Sequence, residues 1–287
     1  MTKNDARWVY EGADQSCTVC HGDGLEAYRD GARLMARTCV CVGDCELCGG
    51  TGFVASGTDR SDPVRRCHCQ HLKVRIRRLS ESDIPARHDK STRLSFKPTN
   101  HAQTAVLARV SSWLKAYNAG ETNRGLILYG DVGRGKTHLM VALLRDLIVQ
   151  RGTSVRFVEF SHLLADLKSG FQHRQSTSAL LKPLSEVQVL GIDELGKGRN
   201  TSFEGTILDE LVSRRYNADL PILGTTNYAP GPSTGVAVSN AADVDRSGRV
   251  RQRPALVDRV GDRVYSRLRE MCDFVGLTGE DYRERRP

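Results

Sequence analysis

Short apolar runs and longer amphipathic stretches alternate through the last two thirds of this chain. Leu126–Tyr129 is a continuous apolar run of the kind that forms a buried strand, and His138–Gln150 after it carries apolar residues at helical spacing. Ser154–Phe160 alternates as a strand and Ser161–Lys168 is helical, while the polar stretch Gly170–Ser178 is expected to be mobile. Val187–Ile192 is a second apolar strand. Phe203–Tyr216 is an amphipathic helix through Ile207, Leu208, Leu211 and Val212, and Pro221–Thr226 is a further strand. Residues 229–254 are small and polar, which predicts an exposed excursion, with Arg246, Arg249, Arg251 and Arg253 crowded at its end. Ala255–Met271 resumes helical spacing through Leu256, Val260, Val264 and Leu268. Upstream, Thr104–Ala119 repeats Val106, Val110, Trp113 and Tyr117 and is expected to pack on the sheet that begins at Gly125. Strands alternating with helices predict an α/β fold around a central parallel sheet.

The first seventy residues follow neither rhythm. Residues 17–24 and 45–52 are each C-x-x-C-x-G-x-G, and each is followed by a C-x-C pair. A displacement of 28 positions carries Cys17, Cys20, Cys39 and Cys41 onto Cys45, Cys48, Cys67 and Cys69 without a mismatch. This is an internal duplication of a four-thiolate unit, and four thiolates in two close pairs suit a tetrahedral zinc ion. An iron–sulfur cluster also fits the ligand type, and interleaved pairing of the two units stays open. His21, His68 and His71 are surplus to two complete four-cysteine sets, and Cys272 lies outside the frame as a small core residue. With few apolar residues of its own, the segment is expected to draw its folding energy from metal.

Composition narrows the partners. A net charge of +8 favours an anionic one, nucleic acid first. Lys and Arg outnumber Asp and Glu from Arg60 to Arg93, where His71–Leu79 predicts a short basic helix. Contact with an acidic partner and a plain solvated face fit it equally. The sequence shows no membrane-length apolar run and no apolar leader after Met1, so a cytoplasmic address is expected. Thiols stay reduced there, and nine cysteines then argue for metal rather than disulfides.

The chemistry centres on Gly130-Asp131-Val132-Gly133-Arg134-Gly135-Lys136-Thr137, a G-x-x-x-x-G-K-T loop between a predicted strand and a predicted helix. Its glycines let the backbone turn N–H groups toward phosphate oxygens, and the helix that follows offers the positive end of its dipole. Lys136 is expected to reach the β- and γ-phosphates of ATP and Thr137 to hold Mg²⁺. The strand Val187–Ile192 runs into Asp193 and Glu194, expected to complete the Mg²⁺ shell and to polarise the attacking water. Asn227, at the end of the next strand, is expected to contact the γ-phosphate or that water, with a turn cap as the lesser alternative.

These residues resemble a known family. Gly130-Asp-Val-Gly-Arg-Gly-Lys-Thr-His138, Gly191-Ile-Asp-Glu-Leu195, Arg215 through Tyr228, and Gly261 through Arg269 look like the bacterial replicative-helicase loaders of the DnaC/DnaI type. Those loaders are AAA+ ATPases near the DnaA initiators. Cys67-His-Cys-Gln followed by Ile84-Pro-Ala-Arg-His88 resembles that family's passage from metal module to ATPase, and the resemblance spans residues 67–283. It implies a three-layer AAA+ fold over 101–287, behind a duplicated four-cysteine module at 1–72 and a basic linker at 73–100. It also implies His138 beside the nucleotide, Asn227 as sensor 1, Arg267 as an arginine finger for a neighbouring subunit, and Arg283 as sensor 2. The implied partners are a replicative DNA helicase, single-stranded DNA and further copies of the chain. The doubled cysteine unit departs from relatives with a single copy and is similar to the zinc repeats of DnaJ-type chaperones. The IstB-type helper ATPases of transposition share the core motifs.

Overall fold

A computed structural model of the chain describes residues 8–57, 62–172, 177–198, 201–231 and 254–282. The front of the chain forms β1 (Leu25–Asp30), β2 (Arg33–Thr38), β3 (Phe53–Ala55), β4 (Val64–Arg66) and α1 (Gln70–Ser80). A 3-10 turn at Ala86–His88 leads to α2 (His101–Ala119), β5 (Gly125–Tyr129) and α3 (Lys136–Asp146), which continues as a π-helical turn at Leu147–Arg151. Then follow β6 (Val155–Glu159), α4 (Phe160–Gln172), α5 (Thr177–Glu186), β7 (Val189–Asp193), α6 (Ser202–Asn217) and β8 (Ile222–Thr226). The last elements are α7 (Leu256–Val260), α8 (Asp262–Met271) and β9 (Cys272–Gly276).

β5 to β9 make one parallel sheet in the order β6-β7-β8-β5-β9. Neighbouring side chains on a strand face opposite ways, and the core divides accordingly. Leu126 and Leu128 join Val110, Trp113, Leu139 and Leu143 from α2 and α3 on one side. Ile127 joins Leu164, Leu208, Leu211 and Leu268 from α4, α6 and α8 on the other. Helices on both faces explain why β7 and β8 are buried along their whole length. The expected α/β fold with a central parallel sheet is therefore present.

The hairpin strands β1–β4 escaped the sequence pattern, and so did two later elements. α5 forms with Pro183 inside it, and β9 adds an outer strand against β5. The helical spacing of Ala255–Met271 is also not one helix. Gly261, at φ 81°, breaks it into α7 and α8. Cys272 is a core residue on β9, its thiol pushed up to about 12 by burial.

The stretch expected to be a basic linker is packed into the body. Leu72, Leu79 and Ile84 are buried, and the Phe157 amide donates to the Ser82 carbonyl. Arg75 of α1 is buried and donates to the carbonyls of His71, Val149 and Gln150, with its guanidinium 3.9 Å from the centre of the Trp8 ring. Val149 and Gln150 lie in the last turn before Gly152, where carbonyls have no intrahelical partner, and Arg75 takes them. Burial lowers the Arg75 guanidinium to about 10.

Candidate nucleotide site and cysteine clusters

The phosphate loop leaves β5 at Gly130 and enters α3 at Lys136. Gly130 has φ 138°, and a Cβ there would meet the Leu277 carbonyl oxygen at 2.2 Å, so no other residue fits. No side chain caps α3, which leaves its first amides for an anion. Lys136 is folded into the loop and donates to the carbonyls of Gly130 (2.9 Å) and Asp131 (2.7 Å). Burial lowers its ammonium to about 8, opposed by the charges of Asp193, Asp131 and Glu194, which face it.

Asp193 ends β7 and is 2% exposed. Its Oδ1 accepts from Thr137 Oγ1 (2.8 Å) and Thr225 Oγ1 (2.5 Å), and burial nonetheless raises its carboxyl. A buried carboxylate beside a threonine hydroxyl, facing an anion-binding loop, is a donor set that suits a divalent cation. Glu194 adopts φ 60°, a left-handed conformation costly for a residue with a Cβ. Its amide donates to Thr225 Oγ1 (3.0 Å), and its carboxylate pairs with Lys197. The structure thus brings together Lys136, Thr137, Asp193 and Glu194, four residues drawn from two distant stretches.

The other expected residues are more dispersed. Asp131 and Arg134 lie 3.7 Å apart within the loop, and Val132 is exposed on it. His138 Nε2 meets the Thr92 carbonyl (2.9 Å) and Ser95 Oγ (3.2 Å), so it fastens the 92–95 segment onto α3. Asn227 is exposed just past β8. Arg267 donates to Asp209 Oδ1 at 2.7 Å within the same chain. Arg283, the four arginines at 246–253 and residues 173–176 lie outside the described residues.

Sequence reasoning missed Thr225, which ties Asp193 and Glu194 together from β8. Its one signal was a threonine pair closing an otherwise apolar strand. It also missed Phe96 and Tyr282, whose rings stand 5.7 Å apart beside the loop. A Cβ on Gly135 would meet Phe96 at 2.7 Å, and the Tyr282 amide donates to the Gly133 carbonyl (3.1 Å). The Tyr282 hydroxyl is held by Gln103 Oε1 (2.8 Å), and the buried Phe96 packs between Tyr282 and His138.

The eight frame cysteines form two sets, Cys17/Cys20/Cys39/Cys41 and Cys45/Cys48/Cys67/Cys69, each with all sulfurs within 4.8 Å of one another. The pairing is by unit, not interleaved. Sulfur–sulfur distances of 3.5 to 3.7 Å are too long for a disulfide. They match the ~3.8 Å edge of a tetrahedron built on ~2.3 Å metal–sulfur bonds. The Gly52 amide donates to Cys48 Sγ at 3.2 Å, so the glycine turn after the second C-x-x-C brings a backbone N–H onto sulfur. Backbone amides at Cys20 and Val19 lower the Cys17 thiol to about 7, whereas burial pushes the Cys41 thiol of the same quartet up to about 12.

A family model for the IstB-like ATP binding protein matches residues 71–231. The chain belongs to that family. An insertion-sequence ATP-binding protein of Mycobacterium tuberculosis is 35% identical over 171 residues, 60% of this chain and 64% of that protein. The replicative helicase loader DnaC of Escherichia coli is 26% identical over 152 residues, 53% of this chain and 61% of the loader. The matches thus span less than two thirds of either relative. The crystal structure of the DnaC helicase loader superposes with a TM-score of 0.54 at 26% identity, covering 67% of this chain and 99% of that one. The central sheet therefore has the AAA+ fold, and the family match begins just after the last frame cysteine.

Proposed function

We propose that this chain is an ATP-hydrolysing loader that binds a replicative DNA helicase and delivers it to single-stranded DNA. One observation carries the reading. The phosphate loop opens α3 and the π-turn closes it, and Arg75 joins that turn to the helix bearing the cysteine module. Nucleotide at one end of α3 and a partner on the module are thereby mechanically linked. Similarity to DnaC supports the choice of partner.

In this reading Lys136 and the amides of the 130–137 loop hold the β- and γ-phosphates, and Thr137 and Asp193 hold Mg²⁺, which offsets phosphate charge when bound. Glu194 polarises the attacking water and Asn227 contacts it or the γ-phosphate. Arg267 and Arg283 serve as arginine finger and sensor 2, in a self-assembled ring or spiral. Each cysteine quartet holds one zinc ion, and the protein works in the cytoplasm. Among the described residues no helix is long and apolar enough to cross a membrane.

The test is capture of the host's replicative helicase by full-length protein. Capture should require ATP and fail for Lys136→Ala. A protein that hydrolyses ATP yet never retains the helicase would sink the loader reading. The 35% identity to an insertion-sequence protein favours a second reading, a helper ATPase of transposition. ATP-dependent retention of a transposase in place of the helicase would establish that one.

A further inference from the structure

The second cysteine unit leaves open a face that the first one buries. The 28-position displacement carries Leu25, Ala27, Ala36 and Thr38 onto Phe53, Ala55, Val64 and Arg66. In β1–β2, Leu25 lies opposite Thr38 and Ala27 opposite Ala36; in β3–β4, Phe53 lies opposite Arg66 and Ala55 opposite Val64. Directly opposed residues of an antiparallel pair project to one side, so each set of four shares a face. In the first unit that face lies against α1: Leu25 and Ala36 are each 7% exposed, and the Ala36 amide donates to Ser80 Oγ. In the second, Phe53 is 49% and Val64 67% exposed, and Ala55 and Arg66 are exposed beside them. The hairpin is seated by its other side, where Val54 packs on the core.

The changes of residue type indicate what covers the open face. Leu25 and Ala36 suit a helix packed flat against them, with Thr38 exposed at the margin. Phe53 and Arg66 instead set an aromatic ring directly across from a guanidinium, the pairing that stacks a base and meets its phosphate. Arg65, opposite Val54, projects from the other side; Lys73, whose ammonium donates to the Gly50 carbonyl at 3.1 Å, adds charge beside the hairpin. Neither strand holds an acid; Asp44 abuts Gly50 and Asp62 abuts Gly57, at the two ends of the hairpin. The geometry points to single-stranded DNA as the occupant of this face, bases on Phe53 and phosphates on Arg66. The choice of DNA over RNA rests on the loader reading.

The experiment titrates full-length protein, without nucleotide, against a fluorescein-labelled oligo-dT and its oligo-U counterpart, followed by anisotropy. Phe53→Leu, the residue of the first unit, should weaken oligo-dT binding about tenfold, whereas Phe53→Tyr should retain it. Arg66→Thr should weaken binding and flatten its salt dependence by about one phosphate contact. Metal content and ATP binding equal to wild type verify that each variant is folded; if Phe53→Leu loses metal, Arg66→Thr decides alone. Wild-type affinity in Phe53→Leu, absence of wild-type binding, or tighter binding of oligo-U overturns the assignment. So does a Phe53→Leu variant that keeps oligo-dT but no longer retains helicase, which would make the face a protein interface. Failure of the loader reading looks different: the helicase is never captured, while Phe53→Leu still weakens oligo-dT.

Discussion

Arg267 on α8 donates to Asp209 on α6 across 2.7 Å, and Arg263 lies 3.7 Å from the same carboxylate. The residue proposed to complete a neighbour's site is therefore held by its own chain. Both partners are partly exposed, so the pair contributes about 1 kcal/mol or less to stability and is easily exchanged. Arg267→Ala should leave ATP affinity and melting temperature nearly unchanged while lowering assembly-dependent turnover by about a hundredfold or more. Asp209→Asn frees the guanidinium and should raise turnover at limiting protein concentration. ATPase rate against protein concentration checks both, and equal curves for wild type and Arg267→Ala would remove Arg267 from the mechanism.

Lys136 makes ATP binding depend on pH in a predictable direction. Burial lowers its ammonium from 10.5 to about 8 in the free protein, and an arriving triphosphate raises it again. Below about pH 7 the lysine is charged with or without ligand, and affinity should be flat. Above about 8, binding must take up a proton, and affinity should fall toward tenfold per pH unit. The free fold shows the opposite trend. Its cost of burying the charged ammonium is present in full below pH 8 and is relieved as pH rises toward 10.5. Titration calorimetry in buffers of different ionisation heat measures the proton uptake, and Lys136→Ala should show none.

Glu194 combines a proposed catalytic carboxylate with a left-handed backbone, at φ 60°. Such a conformation costs an L-residue about 1–2 kcal/mol, and glycine adopts it freely. Glu194→Gly should therefore abolish hydrolysis while holding or raising the melting temperature, despite losing the Lys197 pair. Glu194→Gln keeps the strain and should match wild type in stability, binding ATP without turning it over. A clear loss of stability in the glycine variant would show that the strain is not there to relieve.

How much of this was legible in the sequence follows from how local each constraint is. The phosphate loop is read directly because consecutive amides and glycines make it, and the cysteine quartets because a duplication fixes their spacing. Thr225 was marked only by the threonine pair at the end of β8, because its role exists only once β8 lies beside β7. Phe96 and Tyr282 sit 186 positions apart and meet only when β9 carries the chain back to the loop. The break at Gly261 was hidden for another reason: apolar spacing runs on through a glycine that turns the backbone without shifting the buried side. Asp209 had no mark at all, being one acid on an exposed helix face until α8 packs against it.

Chelation should separate the two cysteine units. The sequence alone suggested that metal supplies all the folding energy of the front segment, but the first unit buries Leu25, Leu34 and Ala36 in the main core. Leu34 is fully buried, and its amide donates to the Ile84 carbonyl at 2.8 Å, so this hairpin is held without any ion. The second unit has exposed Phe53 and Val64 and strands of three residues, too short to hold alone. A strong chelator should therefore raise amide exchange across 45–69 first, by orders of magnitude, with 25–38 following weakly and the β5–β9 sheet unchanged. Each burial of a leucine side chain offsets about 1.5–3 kcal/mol of that opening, enough to keep the two units distinguishable. Simultaneous loss of protection in both would show that the ions, not the packing on α1, hold the first.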